Sequence, residues 1–359
     1  MFTVGVNFSH HCSVALLKNN EVVFFSLEER YKREKEWGGK PNLVPTSCLD
    51  EISKFTREVD VFTGTSGTDA QFKQSVNYLK SKGVRVKKAG LSNPRHHLFH
   101  AMSAFYMSDF NEASCLVIDG AGSTHRVNNT VKANETTSIY ELNRNTKPRF
   151  KCTYKHFTVG IYGNGGLKNR VENYPAIKST LSEVSSSDIE AFNKRFSDIE
   201  NIVTTTQLDT GIKYYCAAAK TGKKMGWGQI GCDGKLMGLA GYGDQPNATE
   251  EQILAYTAQK ELEQDFINRI KYCKSNNIVI SGGCALNILG NSFIKKTFPN
   301  INIFIDPIGH DGTIALGAAA FTFFTTTNSK DRLITSAYTG LNYNITKDDI
   351  YECVRKYSV

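Results

Sequence analysis

One device occurs twice along the chain and limits its fold more than any other feature: a short strand, a polar turn and a returning strand. The first copy runs from Phe2 to Phe8, through the crowded loop Asn7-Phe8-Ser9-His10-His11-Cys12-Ser13, and back along Ser13 to Lys18. Lys18-Asn19-Asn20-Glu21 then turns into Val22 to Leu27, which completes a β-meander. The second copy opens on Cys115-Leu116-Val117-Ile118-Asp119-Gly120-Ala121-Gly122-Ser123 and continues through strand-like stretches near Thr137 to Leu142 and Phe150 to Tyr154. Between the copies, His96 to Met107 carries Leu98, Phe99, Met102 and Phe105 at helical spacing behind an Asn93-Pro94 start. Further on, the pattern predicts a helix over Glu251 to Lys274, a strand over Asn277 to Ser281, and a helix over Ala285 to Phe298. A strand over Ile301 to Ile305 and an apolar helix over Thr313 to Phe323 follow. Alternation of this kind requires α/β layers. The Ser-, Asn-, Glu- and Lys-rich stretch from about Lys168 to Thr206 reads as an insertion.

Composition narrows the class. A chain of 359 residues is long enough for a sizeable core without disulfide or metal staples. The longest nearly apolar run, Ile314 to Phe324, falls short of the roughly 18 to 20 residues of a bilayer-spanning helix, so no membrane span is expected. The start, Met1-Phe2-Thr3-Val4, lacks a cationic segment followed by an apolar one, which predicts a cytoplasmic protein. Nine cysteines with no C-x-x-C pair read as reduced, mostly buried thiols. The net charge of +8, with basic segments Arg30 to Lys40, Lys80 to Lys88 and Lys220 to Lys224, is compatible with a polyanionic partner and equally with solvated surface faces.

Histidine placement carries the chemistry. Six of the eight lie in three short motifs: His10-His11, His96-His97-x-x-His100 and His310. His96 and His100, four apart on a predicted helix, project from one face and can bind one metal ion, although packing in a core is the common fate of an isolated pair. Gly309-His310-Asp311-Gly312 supplies a carboxylate of the kind that joins two imidazoles in a metal site, or is a simple Asp-Gly turn. Ser281-Gly282-Gly283-Cys284-Ala285-Leu286-Asn287 and Asp119-Gly120-Ala121-Gly122-Ser123 are compatible with phosphate-binding backbone amides or with close packing.

In their order these motifs resemble the O-carbamoyltransferases of the nodulation-factor and antibiotic-tailoring type. The amino-terminal domain of that family belongs to the actin-like ATPase (ASKHA) superfamily and is similar to the catalytic subunit of tRNA threonylcarbamoyladenosine synthesis. The matching segments, spanning about residues 2 to 345, are Ser9 to Ser13, Glu28 to Lys35, His96 to Tyr106, Ile118-Asp119-Gly120, Asp233 to Gly243, Gly282 to Asn287, and Asp311-Gly312 with Ala315 to Ala319. The resemblance implies a duplicated actin-like α/β fold with lobes over 1–110 and 111–345, the insertion near 168–206, and a nucleotide and metal cleft between the lobes. It makes 346–359 a tail, or the start of a YrdC-like domain that relatives carry and this chain lacks, so a separate YrdC-like subunit is expected.

The implied reaction moves a carbamoyl group from carbamoyl-adenylate, made from ATP and carbamoyl phosphate, to an acceptor hydroxyl with release of AMP. His96, His100 and Asp311 would surround a divalent metal, Fe(II) first, with Mn, Zn or Mg as alternatives. His10 would be the base, Lys235 would act on the phosphate, and Asp119, Gly120, Gly282, Gly283 and Asn287 would hold the nucleotide. Relatives usually have Asp where this chain has His11 and His310, which leaves the roles of those two open, as are those of Arg30 and His97. The acceptor would be a sugar, a metabolite, or a hydroxymethylated nucleotide or DNA base. Threonylcarbamoyl transfer to tRNA and a non-catalytic nucleotide-binding subunit are the competing readings. The Glu28-Glu29-Arg30 and Gly234-Lys235-Leu236-Met237-Gly238-Leu239 motifs favour the O-carbamoyltransferase branch over threonylcarbamoyl transfer, and retention of all three presumed ligands argues against a non-catalytic subunit.

Overall fold

Each predicted strand-turn-strand unit seeds a sheet. The computed structural model describes residues 1–40, 42–145, 149–160, 184–228 and 231–335, together with 346, 347, 351, 352 and 355. Strands β1 (Phe2–Asn7), β2 (Ser13–Lys18) and β3 (Glu21–Leu27) form the expected antiparallel meander, with Asn7 opposite Ser13. Two further strands, β4 (Glu58–Thr65) and β5 (Arg85–Leu91), run parallel to β1 and give the order β3-β2-β1-β4-β5.

The second sheet is built on β6 (Glu112–Ile118), β7 (Thr124–Arg126), β8 (Lys132–Asn143), β9 (Arg149–Val159), β10 (Asn201–Thr205), β11 (Asn277–Ser281) and β12 (Asn302–Ile305). Its order is β10-β9-β8-β6-β11-β12, with β7 paired to β8. Here β6, β8 and β9 are antiparallel, whereas β11 and β12 run parallel to β6. Both sheets therefore place a meander on one side of a central strand and two parallel strands on the other.

The helices His96–Met107 and Ile314–Thr327 lie between the sheets. The first packs on β6, β8 and β11, the second on β1, β2 and β4, and the two pack on each other. The division at 110/111 is thus crossed by a helix from late in the chain that lies on the first sheet. Met102, Phe105, Tyr106, Leu316 and Phe324 share a buried cluster with Leu17 of β2 and Val117 of β6. Burying each such large side chain contributes about 1.5–3 kcal/mol. Approach of the two helices is close enough that only glycine fits at 317, where a Cβ would stand 1.9 Å from the Phe99 carbonyl oxygen.

Two predicted helices end elsewhere than expected. The stretch foreseen as a helix over Ala285 to Phe298 is a 3-10 turn, Gly283–Leu286, followed by a helix Ile288–Thr297. The cause is Asn287, whose side-chain oxygen accepts the Gly290 N–H and so starts the helix later. The helix foreseen over Glu251 to Lys274 spans Glu250–Ile270, opened by a capping box of Thr249 and Gln252. Past Ile270 the Tyr272 and Cys273 N–H groups turn to the carbonyls of Arg269 and Ile270, three residues back, and the Lys274 N–H goes to the Ser114 hydroxyl of β6. Of the insertion placed near 168–206, residues 168–183 lie outside the described residues, as does most of the tail 346–359. Among the described residues no helix is long and apolar enough to cross a membrane.

Candidate metal and nucleotide site

Loops at the carboxyl ends of β1, β6, β11 and β12 converge beside the first turn of the His96–Met107 helix. Open α/β sheets place ligands at that edge, because the strand ends leave a crevice there. The first helical turn is anchored by Ser123, whose hydroxyl accepts the His96 N–H at 3.2 Å.

Four side chains meet in that crevice. His96, His100, Asp119 and Asp311 are all buried, and each offers one ligand atom within 4.8 Å of the others. His96 Nε2 donates to Asp119 Oδ2 at 3.1 Å and lies 3.4 Å from Asp311 Oδ1. His100 Nε2 stands 3.7 Å from the same Asp311 oxygen and has no hydrogen-bond partner although buried. Its other nitrogen, Nδ1, is 3.3 Å from the Ser281 hydroxyl, which in turn donates to Asp306 at 2.7 Å. This backing is what orients an imidazole as a metal ligand.

Charge makes the same point. Two carboxylates at the bottom of a crevice demand a compensating cation. Burial opposes the charge on His96, but Asp311 and Asp119 outweigh it and hold the imidazolium up to about 10. Burial likewise works against ionisation of Asp119 and Asp311, and the surrounding imidazoles pull both carboxyls well below the usual range. The donor set and the orphaned His100 nitrogen fit a divalent ion bound by two imidazoles and one or two carboxylates.

The metal triad predicted from the sequence is therefore brought together, and Asp119, assigned to the nucleotide, joins it. That reassigns two amides as well. Asp119 Oδ1 accepts the N–H groups of Gly120 at 2.9 Å and Gly283 at 3.3 Å, so they serve the carboxylate rather than a phosphate. Gly282 packs: with φ at +88°, its Cβ position would lie 2.3 Å from the Ile118 carbonyl oxygen. Asn287 lines the cavity, with its side chain engaged by Gln259 and Gly290.

His10 sits at the lip, its side chain 54% exposed and its Nδ1 3.6 Å from Asp311 Oδ2. The rings of His10 and His11 are 4.3 Å apart and those of His11 and His310 4.6 Å, so the three imidazoles adjoin one another. Burial, reinforced by His10, pushes His11 down to about 4. His97 is fully enclosed, shares a 2.8 Å hydrogen bond with Ser138, and is pushed down to about 3 by burial. It is a core residue. Lys235 stands apart from the predicted phosphate role: it is exposed, with Nζ 5.4 Å above the Trp227 ring, while its neighbours Asp233 and Gly234 line the cavity. Arg30 is also at the surface, beside Glu29.

Several residues to which the sequence assigns no individual role position the site. Asn7 donates to the carbonyls of His11 at 3.1 Å and Asp311 at 2.9 Å, and Ser13 donates to Gly312 O at 2.8 Å, which joins the first loop to the Asp311 turn. Glu28 accepts the N–H groups of Ser47 and Cys48, and Glu29 accepts that of Glu36, so the Glu-Glu pair shapes the segment that brings Lys35 and Glu36 to the cavity wall. The cavity holds about 590 Å3, with Ile212, Tyr214, Tyr215, Met237 and Leu262 on its less polar side. Of the basic segments, Lys80 to Lys88 lies at the opposite strand ends, where Lys82 pairs with Asp50 and Lys87 with Asp60. Lys224 pairs with Glu250 and Glu251.

Residues 245–320 match the family model described as the carbamoyltransferase N-terminus. An uncharacterized protein of Methanocaldococcus jannaschii is 29% identical over 119 residues, 33% of this chain and 22% of that protein. An uncharacterized protein of Synechocystis is 22% identical over 360 residues, covering 86% of this chain and 55% of its own length. The chain thus spans little more than half, or less, of the curated relatives it matches. Among solved structures, full-length HypF in its phosphate- and nucleotide-bound form superposes with a TM-score of 0.50 at 15% identity, over 92% of this chain and 56% of that one. That likeness shows the fold.

Proposed function

We propose that this chain is the transfer domain of an O-carbamoyltransferase, moving a carbamoyl group from carbamoyl-adenylate to an acceptor hydroxyl as AMP leaves. The observation that carries the reading is the meeting of His96, His100, Asp119 and Asp311, whose two carboxylate residues line the cavity, beside a stretch that matches a carbamoyltransferase model. The shared strand order of the two sheets supports a duplicated actin-like fold. A divalent ion held by these four residues, with Fe(II) favoured and Mn, Zn or Mg as alternatives, would supply Lewis acidity to the acyl-phosphate oxygens.

The chain's own groups account for the remaining steps. Ile212, Met237 and Leu262 with the two tyrosines suit an adenine ring, which excludes water from one side of the cavity. A hydroxyl is a poor nucleophile until its proton is removed. His10 takes that proton as the acceptor oxygen attacks the carbamoyl carbon, and the carbon–oxygen bond to the phosphate breaks. Asp311 Oδ2 stands 3.6 Å from His10 Nδ1 and so keeps the ring at the mouth of the four-residue pocket. Lys35 on the wall suits a phosphate-bearing acceptor, such as a modified nucleotide or DNA, whose binding should fall steeply with salt.

The test is to incubate the metal-loaded chain with synthetic carbamoyl-adenylate and a panel of hydroxyl acceptors, and to read a gain of one carbamoyl mass with AMP release. No gain on any acceptor sinks the proposal. Product formed only from threonylcarbamoyl-adenylate and tRNA would assign that activity instead.

A further inference from the structure

We propose that His310 donates a hydrogen bond, from Nε2, to a phosphoryl oxygen of the bound substrate. His310 precedes the turn Asp311–Thr313 and caps it: its Nδ1 accepts the Gly312 N–H at 3.0 Å. An imidazole nitrogen that accepts a hydrogen bond carries no proton, so the ring's proton lies on Nε2. His310 also lines the 590 Å3 cavity, and its Nε2 makes no hydrogen bond to a described residue. One bond to the backbone thus fixes both the orientation of the ring and the nitrogen that carries the proton.

The wall around it selects the ligand. Asp311, the next residue, turns its carboxylate into the four-residue pocket, so the His310 ring stands at that pocket's edge. Lys35 contributes an ammonium to the same cavity. A phosphoryl group presents acceptor oxygens on every side, which suits the His310 and Lys35 donors, although Glu36, Asp119, Asp233 and Asp311 line the same cavity. Identifying that group as part of a carbamoyl donor or a nucleotide rests on the proposed transfer reaction. The anion site itself does not.

Capping and donating separate cleanly by substitution. His310→Asp keeps an acceptor for the Gly312 N–H and replaces the donor with a negative charge. His310→Asn also keeps the cap, adds no charge beside Asp311, and is too short to reach as far as the imidazole, so it serves if the aspartate variant fails to fold. Binding of inorganic phosphate, AMP and carbamoyl phosphate to the full chain is measured by titration calorimetry, with Tm as the check on folding. We expect Tm to hold and phosphate affinity to fall by about tenfold or more, as for loss of one hydrogen bond to a charged group. Whichever of AMP and carbamoyl phosphate loses affinity in parallel identifies the phosphoryl group that is held. Equal phosphate affinity in wild type and a folded variant overturns the proposal, as does a wild type that binds no phosphate. A fall in phosphate affinity in a protein that transfers no carbamoyl group leaves the anion site standing and removes the transferase reading.

Discussion

Three histidines on one helical turn and a half meet three different fates, decided by what stands opposite each ring. His96 faces two carboxylates, His100 has a buried nitrogen with no partner, and His97 points the other way into the core beside Ser138. Removing one ligand from such a set should abolish most metal binding, because the remainder cannot complete the coordination. Elemental analysis of His100→Ala should show that loss, and metal content equal to wild type would place the site elsewhere. The carboxylates keep His96 protonated up to about pH 10, so an incoming ion must displace that proton. Apparent metal affinity should therefore rise with pH, by about tenfold per unit for exchange of one proton. His97 behaves oppositely. Its folded value, near 3, lies below the unfolded 6.5, so the neutral ring costs nothing above pH 6.5 and stability drains away as pH falls from 6.5 toward 3. The full penalty is on the order of 5 kcal/mol. His97→Asn should flatten this acid limb in a plot of unfolding free energy against pH, lose about 2 kcal/mol at neutral pH to the cavity it leaves, and retain metal.

Among the elements, the pairing of the His96–Met107 and Ile314–Thr327 helices sets the distance between the imidazoles and the Asp311 turn. Gly317→Ala would force a methyl to within 1.9 Å of the Phe99 carbonyl oxygen. Overpacking of that kind typically costs about 1–3 kcal/mol. Thermal unfolding should show a lower Tm, and metal titration a weaker site, since the helices must part. Both helices were legible in the sequence, because apolar residues recur at helical spacing over more than two turns. The strands β1, β2, β6 and β11 were legible too, as short apolar runs closed by Asn or Gly. What escaped was β5, whose exposed Arg85, Lys87 and Lys88 give no apolar alternation, and with it the segment from Thr46 to Leu91. The triad of His96, His100 and Asp311 could be read because its residue types are rare and its motifs short. Asp119 and His310 were named with other or open roles, and Asn7 and Ser281 with none, since polar side chains whose partners are Asp311 O for Asn7 and His100 and Asp306 for Ser281 leave no local pattern.

At the scale of the molecule, the described residues supply a cavity and a cluster of four side chains able to hold a metal ion, and the proposed donor must come from somewhere. We expect the 359-residue chain alone to form no carbamoyl-adenylate from ATP and carbamoyl phosphate, and a YrdC-like partner to restore it. Adenylate formed by the purified chain, followed by chromatography of the nucleotides, would overturn that expectation. The bonds from Asn7 to Asp311 and from Ser13 to Gly312 tie the first loop to residues synthesised some 300 positions later. While the chain is on the ribosome, the amino-terminal strands can pair as they emerge, yet His96 and His100 have no Asp311 to meet until about 200 further residues have been translated. The four-residue pocket therefore forms only after Asp311 has emerged, and a chain stalled before that point exposes its imidazoles without the pocket's second carboxylate.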